Sequence, residues 1–401
     1  MSPHRVLTPE ASPEPELPQC KGLWQATTHK HKPSWPAMEA SGGVRALWEN
    51  KWRSACQKST HPFQDGRYED FEPIFDDLIE GHIDDPNSPE YTLTFLPRAQ
   101  ELASEAEDAL LRGDRILATE FYLRACAVLR VARCPSPARR DSACPARQEA
   151  WQLQKALYLR AGRLWESPVD EAVVPHIYDT KTHPHQQIHG CAGKAGWARP
   201  RIPTYVRLPM DTLRAGRPCP AVLIVSDDRT SHTAQCEEAL ARGWGCVVVE
   251  VPGAGDCPVS PSDDRGSEGG EAAADEVWSS VLDWMRAIRV FDMGRVAAWG
   301  LGEAVVRLAA THGDRLRGCV AMLGRAGGRD LSMLDEISCR LLLVTESEST
   351  VQSNGLWTPV VEGRDEGKLA LFEYGVPGTS VVQYPVADMR TVYKWVGDVV
   401  S

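Results

Sequence analysis

The sequence predicts a doubly wound, mostly parallel α/β sheet that follows an all-helical region. From Val174 onward, short apolar runs suited to buried parallel strands alternate with amphipathic helices. Between Val44 and Trp165, by contrast, the apolar residues recur at helical spacing. Because doubly wound sheets bind ligands at the carboxyl ends of their strands, any functional site is expected at that edge of the sheet.

The first half of the chain divides into a tether and a helical domain. Residues 1–43 are rich in Pro, Ser, His and Lys, and this composition predicts a disordered or loosely tethered segment. Residues 44–170 are predicted to form a helical domain with helices over 45–52, 70–80, 91–111, 115–131 and 147–165.

The second half, residues 171–401, is predicted to form the α/β domain. Strands are predicted over 201–208, 221–225, 246–251, 295–299, 318–323, 340–344 and 381–384. Helices are predicted over 236–243, 275–287, 306–312 and 392–400.

Charge and cysteine content exclude several classes of protein. The formal net charge of −11 argues against a nucleic-acid or anionic-membrane partner. The polar, proline-rich N-terminus does not resemble a signal peptide, so a cytoplasmic protein is expected. The 12 cysteines include no C-x-x-C pair, which favours reduced thiols over a zinc knuckle. A loop carrying His183, His185, His189 and Cys191 could bind zinc, but a polar insertion is the simpler interpretation, and we expect no metal or cofactor.

One stretch, Val296 to Val305, has the pattern of a strand that ends in a small-residue turn and passes into a helix. This is the local pattern of a nucleophile elbow, G-x-S-x-G, in which a serine is exposed at the end of a strand. Gly302 stands where the pattern has the serine, and Ala304 stands where it has the closing glycine.

Many short motifs along residues 44–401 resemble the fungal α/β-hydrolases of polyketide pathways, the yellowish-green pigment hydrolase family. The motifs are Trp48-Glu49-x-Lys51-Trp52, His61-Pro62-Phe63, Val174-Pro175-His176, Arg201 to Tyr205, Glu250-Val251-Pro252-Gly253, Asp256-Cys257-Pro258, Trp278 to Trp284 and Phe372 to Gly375. The resemblance implies an α/β-hydrolase fold, with the helical domain acting as a lid over the strand ends.

The chain departs from this family at each catalytic position. Besides Gly302 at the elbow, the slot of the family's aspartate falls on Ser349, with Glu348 beside it, and the slot of its histidine falls on Asp388. The glycine-rich oxyanion loop reads Ser226-Asp227-Asp228-Arg229-Thr230. Since the loss of one triad member costs about four orders of magnitude in rate, these changes argue against serine hydrolysis.

Carboxylates are the groups that could act instead. Glu303, Glu348 and Asp388 are the predicted catalytic residues, because a carboxylate in a partly apolar pocket can abstract a proton next to a carbonyl. Gly302, Asp227, Asp228, Ser349 and Asp256 are predicted to bind the substrate. The simpler interpretation of Glu303 is a solvated carboxylate at a loop.

Three functions remain open. The first is a non-hydrolytic enzyme that condenses, cyclises or dehydrates a polyketide or polyketide–nonribosomal peptide intermediate. The second is a non-catalytic protein that binds such an intermediate or a partner synthase, and the third is a polyketide-shortening C–C hydrolase with displaced catalytic residues. The expected partners are a small polyketide-type substrate, a polyketide synthase and a second copy of the chain.

Overall fold

The computed structural model describes residues 43–134, 144–176, 201–259, 266–323, 332–346, 369–374 and 389–401, and for 266–273, 301, 323, 332, 345–346 and 369–374 it describes the backbone alone. The predicted tether therefore lies outside the described residues. Two compact units make up the chain, and their boundary falls between Trp165 and Glu166. In the described parts, no helix is both long and apolar enough to cross a membrane.

The first unit is entirely helical in its described residues. A continuous helical stretch is formed by α1 (Gly43–Leu47), a π-helical turn (Trp48–Trp52) and α2 (Arg53–Gln57), and it is followed by α3 (Tyr68–Glu80), α4 (Pro89–Leu111), α5 (Arg115–Ala132) and α6 (Pro145–Arg163). Ser88 caps α4 through Tyr91 N, and Asp114 caps α5 through Leu117 N, so both helices begin at residues that satisfy free N–H groups.

Aromatic rings fill the core of this helical unit. The ring of Trp48 stacks on that of Phe75 at 4.1 Å between centroids, and Trp52 meets Phe63 edge to face. Helix α5 packs against both α4 and α6. The motif residues Trp48, Trp52 and Phe63 therefore build the core of the unit.

The second unit is built on an eight-stranded sheet. Its strands are β1 (Asp170–Pro175), β2 (Arg201–Arg207), β3 (Cys219–Ser226), β4 (Gly245–Glu250), β5 (Phe291–Leu301), β6 (Gly318–Leu323), β7 (Arg340–Glu346) and β8 (Leu369–Tyr374). Their order is β1-β2-β4-β3-β5-β6-β7-β8. The pairs β1–β2 and β2–β4 are antiparallel, and all the other neighbours are parallel.

Helices follow the strands as the doubly wound pattern requires. They are α7 (Met210–Ala215), α8 (Thr233–Ala241), α9 (Gly266–Ile288), α10 (Gly302–His312) and α11 (Met389–Val400), with short 3-10 turns over Gly313–Arg315 and Ser332–Glu336. The main core lies between the sheet and α9 and α10, where Leu223, Trp278 and Val305 are buried together.

The predicted fold class is confirmed, and the sheet contains two strands that the sequence did not predict. They are β1 (Asp170–Pro175) and β8 (Leu369–Tyr374), and the strand predicted over 381–384 lies outside the described residues and stays a prediction. Phe372 to Gly375 had been noted as a motif but not as a strand. Leu369 to Phe372 form a short apolar run, and periodicity alone does not distinguish such a run from part of a buried helix.

Candidate functional site at the strand ends

The carboxyl ends of β3, β4 and β5 meet at one edge of the sheet. Ser226, the last residue of β3, pairs in register with Glu250, the last residue of β4. On the other side of β3, Val225 pairs with Gly300 of β5. Adjacent strands lie about 4.8 Å apart, so the groups that follow these three strands are close neighbours.

The elbow is a direct passage from strand to helix. Strand β5 ends at Leu301, and α10 begins at Gly302. A Cβ atom on Gly300 would lie 1.9 Å from the carbonyl oxygen of Val225, so only glycine allows this close approach of β5 to β3. The shape of the elbow is therefore present, and the position of its nucleophile carries no side chain.

Glu303, a predicted catalytic residue, lies in the first turn of α10 and is exposed to solvent. The other two predicted catalytic carboxylates, Glu348 and Asp388, lie outside the described residues, as does the predicted ligand Ser349. The loop with His183, His185, His189 and Cys191 also lies outside them. Their roles therefore stay predictions.

The loop after β3 satisfies its own polar groups. Asp228, which is 2% exposed, accepts hydrogen bonds at Oδ1 from the backbone N–H (2.9 Å) and the hydroxyl (2.7 Å) of Thr230. The backbone N–H of Asp228 donates to Ser226 Oγ at 3.0 Å. In hydrolases this loop supplies N–H groups for the oxyanion hole, but here two of its N–H groups already have acceptors within the loop. Asp227, beside them, is half-buried.

A buried ion cluster joins this loop to the loop after β4. Arg229 donates from Nη1 to Glu250 Oε2 at 2.7 Å and from Nη2 to Asp256 Oδ2 at 2.8 Å. Its guanidinium carbon lies 4.8 Å from the centre of the Tyr205 ring, and a more distant ion pair connects it to Glu171. Asp256 was predicted to bind the substrate, and its carboxylate is engaged with Arg229.

Glu250 is the most perturbed carboxyl group at this edge. It is 1% exposed, and its Oε2 also accepts the backbone N–H of Asp256 at 2.7 Å, whereas its Oε1 has no hydrogen-bond partner among the described residues. Burial raises the pKa of this carboxyl from 4.5 to about 7, and the charge of Arg229 opposes the rise. A Cβ on Gly255 would lie 2.2 Å from the carboxylate, so the loop closes tightly over it.

A serine–histidine pair lies beside the ion cluster. The Nε2 atom of His232, the residue before α8, is 2.6 Å from Ser226 Oγ. Ser226 is 1% exposed, and His232 is partly buried. The sequence predicts this segment only as a changed oxyanion loop, and it does not predict His232, Arg229 or Glu250 as site residues. A polar residue ending each of two apolar strands was the signal that could have found Ser226 and Glu250.

Two further serine–histidine pairs lie away from the strand ends. His312, the last residue of α10, has its Nε2 atom 2.8 Å from Ser279 Oγ, and His176 has its Nδ1 atom 3.1 Å from Ser280 Oγ. His312 is buried, and this burial lowers the pKa of its imidazole. A serine–histidine contact is thus not by itself a site, and only the pair with Ser226 ends a central strand.

The strand order, the parallel central strands and the elbow define the α/β-hydrolase fold. The chain is similar in structure to 2,6-dihydroxy-pseudo-oxynicotine hydrolase, with a TM-score of 0.59 and 16% identity over 87% of this chain and 96% of that one. At this identity the similarity shows the fold alone. No protein-family model and no curated protein sequence matches the chain.

The chain is less similar in structure to two other proteins. AbyA5 has a TM-score of 0.46 and 15% identity over 75% of this chain and 84% of that chain. An acetyl xylan esterase from Paenibacillus sp. R4 has a TM-score of 0.40 and 10% identity over 62% of this chain and 93% of that chain.

Proposed function

We propose that the chain is a hydrolase-like protein of fungal polyketide biosynthesis that acts without hydrolysis on a polyketide or polyketide–nonribosomal peptide intermediate. The reaction is a condensation, cyclisation or dehydration at a carbonyl group. The proposal includes a cytoplasmic location, and a polyketide synthase or a second copy of the chain as partner.

The observation that supports the absence of hydrolysis is the elbow at Gly302. A serine hydrolase needs an attacking hydroxyl at that turn and free N–H donors for the oxyanion. Gly302, at the nucleophile position of the turn, has no side chain, and the N–H groups of Asp228 and Thr230 have acceptors within their own loop. Since the loss of a single oxyanion donor costs about 10²- to 10³-fold in rate, these features support a reaction other than hydrolysis at the elbow.

Carbonyl condensation needs a group that removes a proton from carbon and a group that returns it to oxygen, and positioned carboxylates perform both roles. The polyketide substrate class rests on the motif resemblance between residues 44 and 401. Glu303, Glu348 and Asp388 remain the proposed acid and base groups.

The in vivo test is metabolite profiling of a strain in which the gene is deleted. We expect a polyketide intermediate to accumulate and the wild-type gene to restore the product. Glu303→Gln, Glu348→Gln and Asp388→Asn are then compared in that strain and in assays with the accumulated compound. The exposed Asp211→Asn, on α7, serves as control.

At least one of the three variants should lower product formation by more than about tenfold, because general acid–base groups contribute about 10²- to 10⁴-fold. If none does, these carboxylates are not the acid and base. If deletion leaves the polyketides of the strain unchanged, the proposed function itself fails.

A fluorophosphonate probe tests the absence of a nucleophile directly. We expect no serine of the folded protein to be labelled. Labelling of one serine, with loss of labelling after its replacement by alanine, would show a hydrolase with displaced catalytic residues.

One observation favours a second candidate function, non-catalytic binding of an intermediate or a partner synthase. The carboxylate of Asp228 accepts a hydrogen bond from Thr230, and that of Asp256 accepts one from Arg229. Both carboxylates are therefore held in fixed positions near the strand ends. If the protein only binds, changes in this loop should weaken its affinity for the intermediate or the synthase. No single substitution should then abolish product formation in the strain.

A further inference from the structure

Two large apolar side chains are strongly exposed at one end of the helical unit. Leu111 and Ile116 are each 86% exposed, whereas the next most exposed large apolar side chain among the described residues, Val173, is 45% exposed. Leu111 ends α4, Ile116 lies in the first turn of α5, and a short turn joins these two packed helices. Clustered apolar side chains on a protein surface mark interaction sites, so this hairpin tip, residues 108–116, is a candidate docking surface.

The core of the helical unit does not use either side chain. The buried face of α4 ends with Ala106 and Ala109, and the buried face of α5 begins at Ala118. Polar substitutions at Leu111 or Ile116 should therefore leave the core intact, because they remove no buried contact.

The charges beside Leu111 have opposite signs on one face of α4. Asp108, Leu111 and Arg112 are spaced three and four residues apart, so their side chains are neighbours on this face, and all three are exposed. Two antiparallel copies of this helix end, related by a twofold axis near Leu111, would set Asp108 of each copy beside Arg112 of the other. The pattern is therefore complementary to itself, as a contact between identical surfaces requires.

Net charge favours a second copy of the chain as the occupant of this surface. The formal net charge of −11 makes two copies repel each other at acidic surfaces such as α3, which has six acidic residues and no basic one. The hairpin tip is neutral, because Asp108 and Asp114 balance Arg112 and Arg115. A strongly acidic or basic partner would gain little from a neutral patch, whereas a second copy meets both of its signs there.

We infer that two copies of the chain associate through their hairpin tips, with Leu111 and Ile116 at the centre of a twofold contact and Asp108 of each copy paired with Arg112 of the other. The inference gives a surface to the second copy that the proposed function names as a partner, and it rests on that partner assignment alone. The contact is small, since a stable interface takes roughly 20–30 residues from each side. The dimer is therefore weak and forms at micromolar concentrations or above.

Sedimentation velocity of the full-length protein over roughly 1 to 300 µM covers the range of such weak contacts. The wild type should pass from monomer to dimer across this range. Leu111→Ser and Ile116→Ser should each raise the Kd by about tenfold or more, because each substitution removes two central apolar groups from the dimer. Leu213→Ser, at a side chain of α7 that is 38% exposed, is the matched control and should leave the Kd within about twofold.

Exchange of the two charges tests the twofold pairing. Asp108→Arg and Arg112→Asp should each raise the Kd by about tenfold, because like charges then face each other. The double variant restores opposite charges and should return to within about twofold of the wild type. Asp77→Arg, at an exposed position of α3, changes the net charge as much as Asp108→Arg does and should not raise the Kd.

Three results would overturn the inference: a wild type that stays monomeric over the whole range, a Kd unchanged in Leu111→Ser and Ile116→Ser, or a double charge variant as weak as the single ones. If Leu111→Ser lowers product formation in the strain while the wild type is monomeric, the tip binds another protein and the second-copy assignment fails. The proposed chemistry is judged separately, because unchanged polyketides in the deletion strain would overturn it even if the wild type dimerises through the tip.

Discussion

Gly300 and Gly302 lie two residues apart at the end of β5, and each matters for a different reason. Gly300 allows a backbone approach that any side chain would block, because a Cβ there would lie 1.9 Å from Val225 O. Gly302 stands where the family pattern has a reactive side chain, and its effect is therefore on chemistry. The first glycine preserves the scaffold of the elbow, and the second removes its nucleophile.

Gly300→Ala should destabilise the sheet unit by about 3 kcal/mol, since overpacking against rigid backbone forces the strands apart. The measurement is urea unfolding followed by tryptophan fluorescence. Gly397→Ala is the control, because the nearest atom to its Cβ would be in Trp244 at 3.6 Å. In a helix interior this change should be neutral or stabilising by up to about 1 kcal/mol. Equal effects of the two substitutions would contradict the close-approach argument.

Glu250 should make stability depend on pH. Its pKa in the folded protein, about 7, exceeds its usual value of 4.5, so the folded state holds this proton more tightly than the unfolded state. The free energy of unfolding should therefore fall as pH rises from about 4.5 to 7, by up to about 3 kcal/mol from this group. The charged or titratable groups that face Glu250 are Arg229, Asp228, Asp256 and Tyr205. All four are present in both proteins of the comparison below.

The measurement is the free energy of unfolding in urea at several pH values for the wild type and Glu250→Gln. The amide cannot titrate, so the fall with pH should be shallower in the variant whatever its absolute stability. Parallel curves for the two proteins would contradict the raised pKa.

At the scale of single elements, α3 is anchored by one buried carboxylate. Asp70 accepts two hydrogen bonds from Arg124 of α5, at 2.9 and 2.6 Å, and one from Arg98 of α4 at 2.9 Å. Its Oδ2 also accepts the backbone N–H of Arg67 at the start of α3. Burial alone would raise the pKa of Asp70, and the hydrogen bonds from the two arginines bring it below its usual 3.8.

Asp70→Asn should destabilise the helical unit by about 3–5 kcal/mol, because it leaves the buried guanidinium of Arg124 without the carboxylate that it binds, whereas Arg98 keeps its ion pair with Glu101. Since the pKa of Asp70 is lowered by folding, its contribution is present above about pH 4 and is lost as pH falls below that value. Thermal unfolding followed by circular dichroism measures the loss, and the exposed Asp76→Asn on the same helix is the control. A loss below about 1 kcal/mol would contradict the anchoring role.

At the scale of the whole molecule, each of the two units has its own buried core. Hydrogen exchange of Asp70→Asn should therefore show faster exchange in α3, α4 and α5, with little change in β3, β4 and β5. Mass spectrometry of peptides from both units measures this. Equal acceleration in the sheet would show that the two units unfold together. The lid role predicted for the helical domain stays a prediction.

The sequence by itself determined the class of the fold, the helices of the first unit and the missing serine at the elbow. These three features depend on local spacing and residue type, and both can be recognised in the sequence from periodicity and from motifs. It missed β8, because an apolar run of four residues, Leu369 to Phe372, does not by periodicity distinguish a strand from a helix.

Only the tertiary structure decided which polar groups act together. Arg229, Glu250 and Asp256 are separated along the chain, and the order β4-β3-β5 brings them to one edge of the sheet. The same order sets Ser226, which has His232 at its hydroxyl, opposite the end of β5 in the register of the sheet. A sequence states which side chains are present, whereas strand order and register decide which of them meet, because the pairing of strands joins residues that are far apart along the chain.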